Sequence, residues 1–494
     1  MIPAISSSSA AIRAKSASIY GTPWMIRSIA IALALGLLLA LLPLGIALAV
    51  VAAVLLVVTA YLKPELVLYL LMAAIIMARD TTEEVVSSGG IPFFADLKLM
   101  KGVPQASVAV LLVLFAVFFA KRLLLERKGS LISFWYLAGY FLLVLFAHAV
   151  GTQNGNDPLD IYNDVGRFIY PALAFYLCVN VLNSGNKIRS MLWVLIGACA
   201  TKTLLLDINY LTGHGEPYQD SSVVTMDSAV LMAAGFLVSL VCALLLHRRR
   251  IKALPMVLLS MLPMTFALVF SFRRGHWVGQ LASFALLYLL SCRSARKTMV
   301  YWALAGGVAG CLLLAVGGMR AGSGHATTSL VTRFESIFDP GQYSNRHHFE
   351  ESAITLGDLE ERPLLGMGLG GVHSAVPGAW REEDQPLHIV HNTFLYVWMK
   401  LGLPGLLLFL AAGAAFLKKL YQYRKIAGRA PNRPFVAGIG SGAGILLAMF
   451  ATGPVAWYFH QTFLVVLFVA ICLNLIRLDQ HAVTASPAAG ASDV

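Results

Sequence analysis

Charge is what this sequence has least of. Only 13% of its 494 residues are Asp, Glu, Lys or Arg, roughly half the share usual in a soluble domain, while 58% are hydrophobic. So little polar surface cannot cover the two or three soluble domains that a chain of this length would make. Alternation of apolar and polar residues is also missing, which excludes a membrane β-barrel. Runs such as Ile29–Tyr61, Ala253–Ser271 and Met299–Gly317 are continuously apolar instead, at about the 20-residue length of a bilayer-spanning helix. Cysteine is sparse: Cys178, Cys199, Cys242, Cys292, Cys311 and Cys472 lie in or beside apolar runs with no C-x-x-C among them. They are packing residues, and neither a disulfide frame nor a zinc ribbon. No G-x-x-x-x-G-K-[ST] is present, so the chain is not itself an ATP-driven pump, and no H-E-x-x-H offers a zincin site.

What charge there is sits in places that carry meaning. The net charge of +12 comes from clusters in short connectors, including Lys121–Lys128, Arg248–Lys252, Arg293–Lys297 and Lys418–Arg433. This is the positive-inside pattern of cytoplasmic loops, not a nucleic-acid-binding face. The pattern predicts an all-α polytopic membrane bundle of about 12–14 helices. The candidate spans are 28–43, 44–62, 65–78, 105–120, 131–150, 167–183, 187–210, 222–247, 253–271, 276–292, 298–317, 391–417, 435–453 and 458–477. An even number of spans between basic connectors puts both termini in the cytoplasm and residues 318–390 outside. The expected organisation is a disordered tail (1–27), an N-terminal bundle (28–252), further spans (253–317), an extracytoplasmic loop domain (318–390), C-terminal spans (391–477) and a second disordered tail (478–494). Within the loop domain a period near 3.6 predicts an amphipathic helix around His347–Leu359. The N-terminus is Ser/Ala-rich without an evident cleavage site, which points to a retained first helix.

Ionisable groups inside spans are costly and therefore informative. His148, Arg167, Lys202, Asp207, Asp227, Arg273, Arg274 and His276 all fall in the outer half of a span on this topology. Singly, each could pair within the bundle or reach lipid phosphates. Together they predict one outward-facing polar cavity, whose arginines suit a phosphate or diphosphate through their planar fork. His391-Asn392 opens a later span, where a histidine facing water can serve as a general base, or else cap the helix. Gly366-Met-Gly368-Leu-Gly370-Gly371 follows no strand and lacks a βαβ unit, so it is not a nucleotide fingerprint. His347-His348-Phe-Glu350-Glu351 is expected to be a solvated helix face, because adjacent helical histidines point apart.

Three stretches in order resemble the O-antigen ligase and O-antigen polymerase superfamily of bacterial envelope glycosyltransferases. They are Ser271-Phe-Arg273-Arg274-Gly275-His-Trp277; Arg346 followed by Pro363-Leu364-Leu365-Gly366-Met-Gly368; and an H-N-x9-G-x-x-G pattern from His391 to Gly405. The resemblance covers residues 253–417. It implies a metal-independent, cofactor-free, inverting transfer on the periplasmic face of a bacterial inner membrane. The donor would be a glycan on undecaprenyl diphosphate. Arg274 or Arg273, with Arg346 and Arg167, would hold the diphosphate, and His391 would be the base. Asn392, Gly366, Gly368, Asp207 and Asp227 would support them. The acceptor would be lipid A-core for a ligase, a lipid-linked glycan for a polymerase, or a protein hydroxyl for an O-oligosaccharyltransferase. A transporter for a lipid-linked anion is the alternative from another class, although no internal repeat is visible.

The topology has a direct check. A cysteine introduced as Ser344→Cys should react with an impermeant thiol reagent in intact cells; labelling only after lysis would place residues 318–390 on the cytoplasmic side.

Overall fold

The computed structural model describes residues 44–77, 106–125, 134–247, 254–301, 304, 334–374 and 388–485, apart from 215, 219, 220, 226, 338, 340 and 429. The expected span 28–43, the loop 79–104, most of the span 298–317, the tail 1–27 and Cys311 lie outside these residues. The chain divides into two units, residues 1–62 and 63–494. In the first, α1 (Leu44–Leu62) is a single apolar helix.

The second unit is a helical membrane bundle. Its helices are α2 (Pro64–Met77), α3 (Ala106–Ala120), α4 (Phe134–Gln153), α5 (Pro158–Val181), α6 (Gly185–Leu211), α7 (Ser228–Leu246), α8 (Leu254–Phe270), α9 (Arg274–Leu290), α10 (Tyr343–Glu360), α11 (Thr393–Tyr423), α12 (Arg433–Ser441), α13 (Ala443–Thr452) and α14 (Phe459–Ala485). Six stretches among the described residues are long and apolar enough to cross a bilayer: 135–153, 185–211, 228–246, 393–423, 433–452 and 459–484. One antiparallel ribbon, β1 (Glu216–Tyr218) with β2 (Ser221–Val223), interrupts an otherwise helical fold.

Helix α7 lies at the centre, apolar around its whole circumference, against α6, α8, α9, α12 and α14. A helix buried on all sides has no need of a polar face. Its neighbours approach through small residues: a Cβ on Gly438 of α12 would lie 2.6 Å from the Leu240 Cα. Where backbones come this close, hydroxyls join the helices, with Ser239 Oγ 2.8 Å from Ser283 Oγ and the latter 3.3 Å from Ser441 Oγ.

Several boundaries differ from those that apolarity predicts, for local reasons. Helix α5 begins at Pro158 rather than near 167, because Asp157 caps it, accepting from the Leu159 and Asp160 amides. The expected span 435–453 breaks at Gly442 into α12 and α13. Helix α14 continues through Ala485, past the boundary at Arg477 and into the segment expected to be a disordered tail. Asp479 holds it there: fully buried, it accepts from the Tyr423 hydroxyl (2.6 Å) and from both nitrogens of Asn432.

The glycine-rich turn is the joint of the fold. Between α10 and α11 the chain passes through Gly366, Gly368 and Gly370, all with positive φ, and lies between α4 and α11. The Met367 amide donates to the Met399 carbonyl (2.8 Å), the Leu369 amide to Ala147 (3.1 Å) and the Leu403 amide to Leu364 (3.0 Å). Gly402, with φ 68°, opens α11 so that the turn can enter. Gly366→Ala should therefore destabilise the protein by a few kcal/mol, about 1–3 from the left-handed backbone alone, since its Cβ would sit 2.5 Å from the Trp398 carbonyl oxygen. Thermal melts in detergent beside Gly139→Ala, where nothing lies within 4 Å, test this; equal melting would refute it.

Candidate active site

His391 owes its position to the cap of α11. Asn392 adopts an extended backbone, and its side-chain oxygen accepts from the amides of Phe394 (3.0 Å) and Leu395 (3.2 Å). The helix thus starts at Thr393 and the preceding imidazole projects beyond it. Thr393 fixes this end against the α13–α14 connection, donating to the Gly453 carbonyl and accepting from the Val455 amide. Asn392 is therefore the cap, and His391 is left for other work.

Helix α10 meets it from the other side. Its two faces are unlike: Glu350 is turned outward to Arg346, while Glu351, one residue on, is 4% exposed and turned to His391. The Glu351 carboxylate accepts the His391 backbone N–H at 2.8 Å, and both its oxygens lie 3.1 Å from the ring Nδ1. Burial by itself would raise the Glu351 pKa. The hydrogen bonds and charge of His391 outweigh it and hold the carboxyl below its usual range. A carboxylate can only accept, so the ring donates to it from Nδ1, and Nε2 is the nitrogen that Glu351 does not engage. This is the carboxylate–imidazole pairing that equips a histidine as a base.

His348, one helical turn before Glu351, packs its ring 4.6 Å from that of His391. Burial, first, and then the charge of His391 push its pKa down to about 3, so it is a neutral imidazole. The expected solvated face therefore holds for Glu350 but not for His348 and Glu351, which a segment distant in sequence covers. Ligand atoms of His348, Glu351 and His391 all lie within 4.8 Å of one another, the one grouping of metal-ligand type among the described residues.

The arginines separate into two groups. Arg274, the first residue of α9, donates to the Ser336 carbonyl at 2.7 Å, and Asn345 at the start of α10 donates to the same oxygen at 3.1 Å. Its charge also bears on His348. Arg346 follows Asn345, with its side chain 71% exposed and held by Glu350 at 2.7 Å. Arg273 is the α9 cap residue, its amide donating to Ser271 Oγ. The turn before it is strained, since Phe272 is the only described non-glycine residue with positive φ, 53°. Arg274 thus shares with the start of α10 the Ser336 carbonyl as a common acceptor.

Arg167 belongs elsewhere. It pairs with Asp164 at 2.7 Å and stacks over Trp457 at 3.3 Å. Asp164, 1% exposed, also pairs with the fully buried Lys400 at 2.6 Å and accepts from the Gly370 amide and the Tyr396 hydroxyl. Lys400 completes its shell with the Gly371 carbonyl at 2.7 Å. Asp227 caps α7 and pairs with Lys202 at 3.6 Å, and Asp207 is buried along α6. Neither of these aspartates is joined to His391 by a contact in the described structure. Gly366 and Gly368 support the site through the turn, without touching the imidazole.

Sequence inspection missed Glu351, Asp164 and Lys400. A lysine nine residues after His391 in an apolar run was a visible signal; Glu351 was visible only as the i+3 partner of His348.

Residues 259–410 match the O-antigen ligase family. The match places this region in the O-antigen ligase–polymerase superfamily. It spans Arg274, Arg346, Glu351, the glycine turn and His391, but not Asp164 or Trp457, so the ligase-type region is completed by helices outside it. No curated protein matches the chain.

The buried pair gives a stability prediction. Lys400→Met should destabilise the protein by about 3–5 kcal/mol, the usual result of stranding a buried charge, because Asp164 would keep only its neutral partners and Arg167. A melting temperature unchanged from wild type would show that the pair is dispensable.

Proposed function

We propose that this protein is an O-antigen ligase-like membrane glycosyltransferase that moves a glycan from undecaprenyl diphosphate to an acceptor hydroxyl of lipid A-core, at the periplasmic face of the inner membrane. The observation that carries the reading is the imidazole of His391, held through Nδ1 by a buried carboxylate that leaves Nε2 unengaged. In this reaction Nε2 takes the acceptor's proton as its oxygen attacks the anomeric carbon from the side opposite the diphosphate, which inverts the configuration. The C1–O bond to the diphosphate breaks, and the leaving group departs with the bonding electrons. Arg274 and Arg346 stabilise that developing charge, so the step needs no metal. Arg346 is suited to this because its present partner, Glu350, is a solvent-facing neighbour that a diphosphate can replace. Glu351 stabilises the imidazolium formed. Arg167 and Arg273 support the frame around this centre.

A polymerase with a lipid-linked glycan acceptor would use the same groups, so the acceptor distinguishes the two. The test is transfer by the full-length protein, purified in detergent, from a lipid-linked glycan to lipid A-core and to a second lipid-linked glycan. His391→Gln should lower the rate about 10²–10⁴-fold while melting as wild type does. Arg274→Lys should recover only part of the activity lost in Arg274→Ala, since Lys keeps the charge without the fork. Near-normal transfer by His391→Gln would leave the proposal without its base and return the transporter to consideration.

A further inference from the structure

We propose that His348, Glu351 and His391 also form a reversible divalent-metal site of zinc type, and that a bound ion takes His391 out of service as a base. The inhibitory half of this inference rests on the reading of His391 given above; the binding half does not.

Two imidazoles and one carboxylate are a ligand set that zinc uses, with a fourth position left for water. The ligand atoms of these three residues already lie within 4.8 Å of one another. Bonds of 2.0–2.2 Å in a tetrahedral shell put ligand atoms roughly 3.3 Å apart, so small side-chain rotations would close the site. His348 and Glu351 are one turn apart on the same face of α10, and the cap of α11 supplies the third ligand from a different segment. A second observation points the same way: His348 Nδ1 is buried with no hydrogen-bond partner, while its ring rests against His391. That nitrogen is uncommitted to any protein partner and so available as a ligand.

Either mode of binding disables the base. An ion on Nε2 occupies the lone pair that would accept the proton. An ion on Nδ1 displaces the proton there to Nε2, which then becomes a donor, and the ring gains no charge. Only one ligand is anionic and Arg274 lies near, so a divalent ion is held less firmly than at a structural zinc site and a chelator should remove it.

Full-length protein stripped with chelator would be titrated with Co(II) and followed by its visible absorption, with transfer measured in parallel in chelator and in added Zn(II). One Co(II) per chain should bind with a four-coordinate spectrum and be displaced by Zn(II). Transfer should proceed in chelator and fall at least ~10-fold with Zn(II), as expected when the base itself is blocked. His348→Phe keeps a ring beside His391 and should retain transfer in chelator, while Co(II) affinity and zinc inhibition both weaken at least ~10-fold. His347→Phe, outside the ligand set, should keep both. If His348→Phe does not fold, Glu351→Gln carries the binding arm alone. Failure of wild-type protein to bind Co(II), binding unchanged in a folded ligand variant, or stimulation of transfer by zinc would each overturn the proposal. A protein inactive in every buffer would instead sink the transferase reading, with the Co(II) titration still deciding the metal site.

Discussion

The arrangement of this region depends on one buried ion pair. Lys400 and Asp164 are both shielded from solvent and meet at 2.6 Å. Charges withdrawn from water in this way are tolerated only when every remaining donor and lone pair is satisfied. Here the satisfying groups come from different segments. Asp164 belongs to α5, Lys400 to α11, and the amide of Gly370 and carbonyl of Gly371 to the turn between α10 and α11. Moving any one of these leaves a buried charge exposed to an apolar surrounding. The pair therefore sets the register of α11, and with it His391 about two and a half turns upstream.

Around that pair the glycine turn acts as a wedge. Val144, Ala147, Ile161, Phe168, Leu369 and Tyr396 form one apolar cluster that seats it. Left-handed backbone at Gly366, Gly368 and Gly370 lets the chain pass within backbone contact of α4 and α11. The opening at Gly402 supplies free hydrogen-bonding groups on α11 that the turn satisfies, so helix break and turn require each other. This gives the widely spaced glycines of the family pattern a single mechanical purpose.

The geometry around His391 is then a matter of two helices. The α11 cap presents His391 outward, and α10 covers it with Glu351 on one side and His348 beside it. Arg274 and Asn345 share the Ser336 carbonyl, which joins the start of α9 to the start of α10. The start of α9 and the cap of α11 are thereby both joined to one amphipathic helix. The same closeness that orients the imidazole brings three metal-ligand groups together.

The sequence by itself determined that this is a polytopic helical membrane protein, because runs of apolar residues admit no other way to satisfy the backbone in a bilayer. It also showed the helix within 343–360, since that is a local pattern, and it singled out His391 and the S-F-R-R-G and glycine stretches as candidates. It did not show that Glu351 rather than Glu350 is the carboxylate bonded to His391: the two are neighbours on one helix, and only the segment packed against α10 makes one face buried. Nor did it show that Asp164 and Trp457 are the partners of Arg167. The bond from Arg274 to the Ser336 carbonyl was likewise not legible in the sequence. Lys400 and Asp164 lie far apart in the chain and carry no motif. Their pairing was decided by tertiary structure alone, because the stability of a buried charge depends on which groups surround it and not on the residues beside it in sequence.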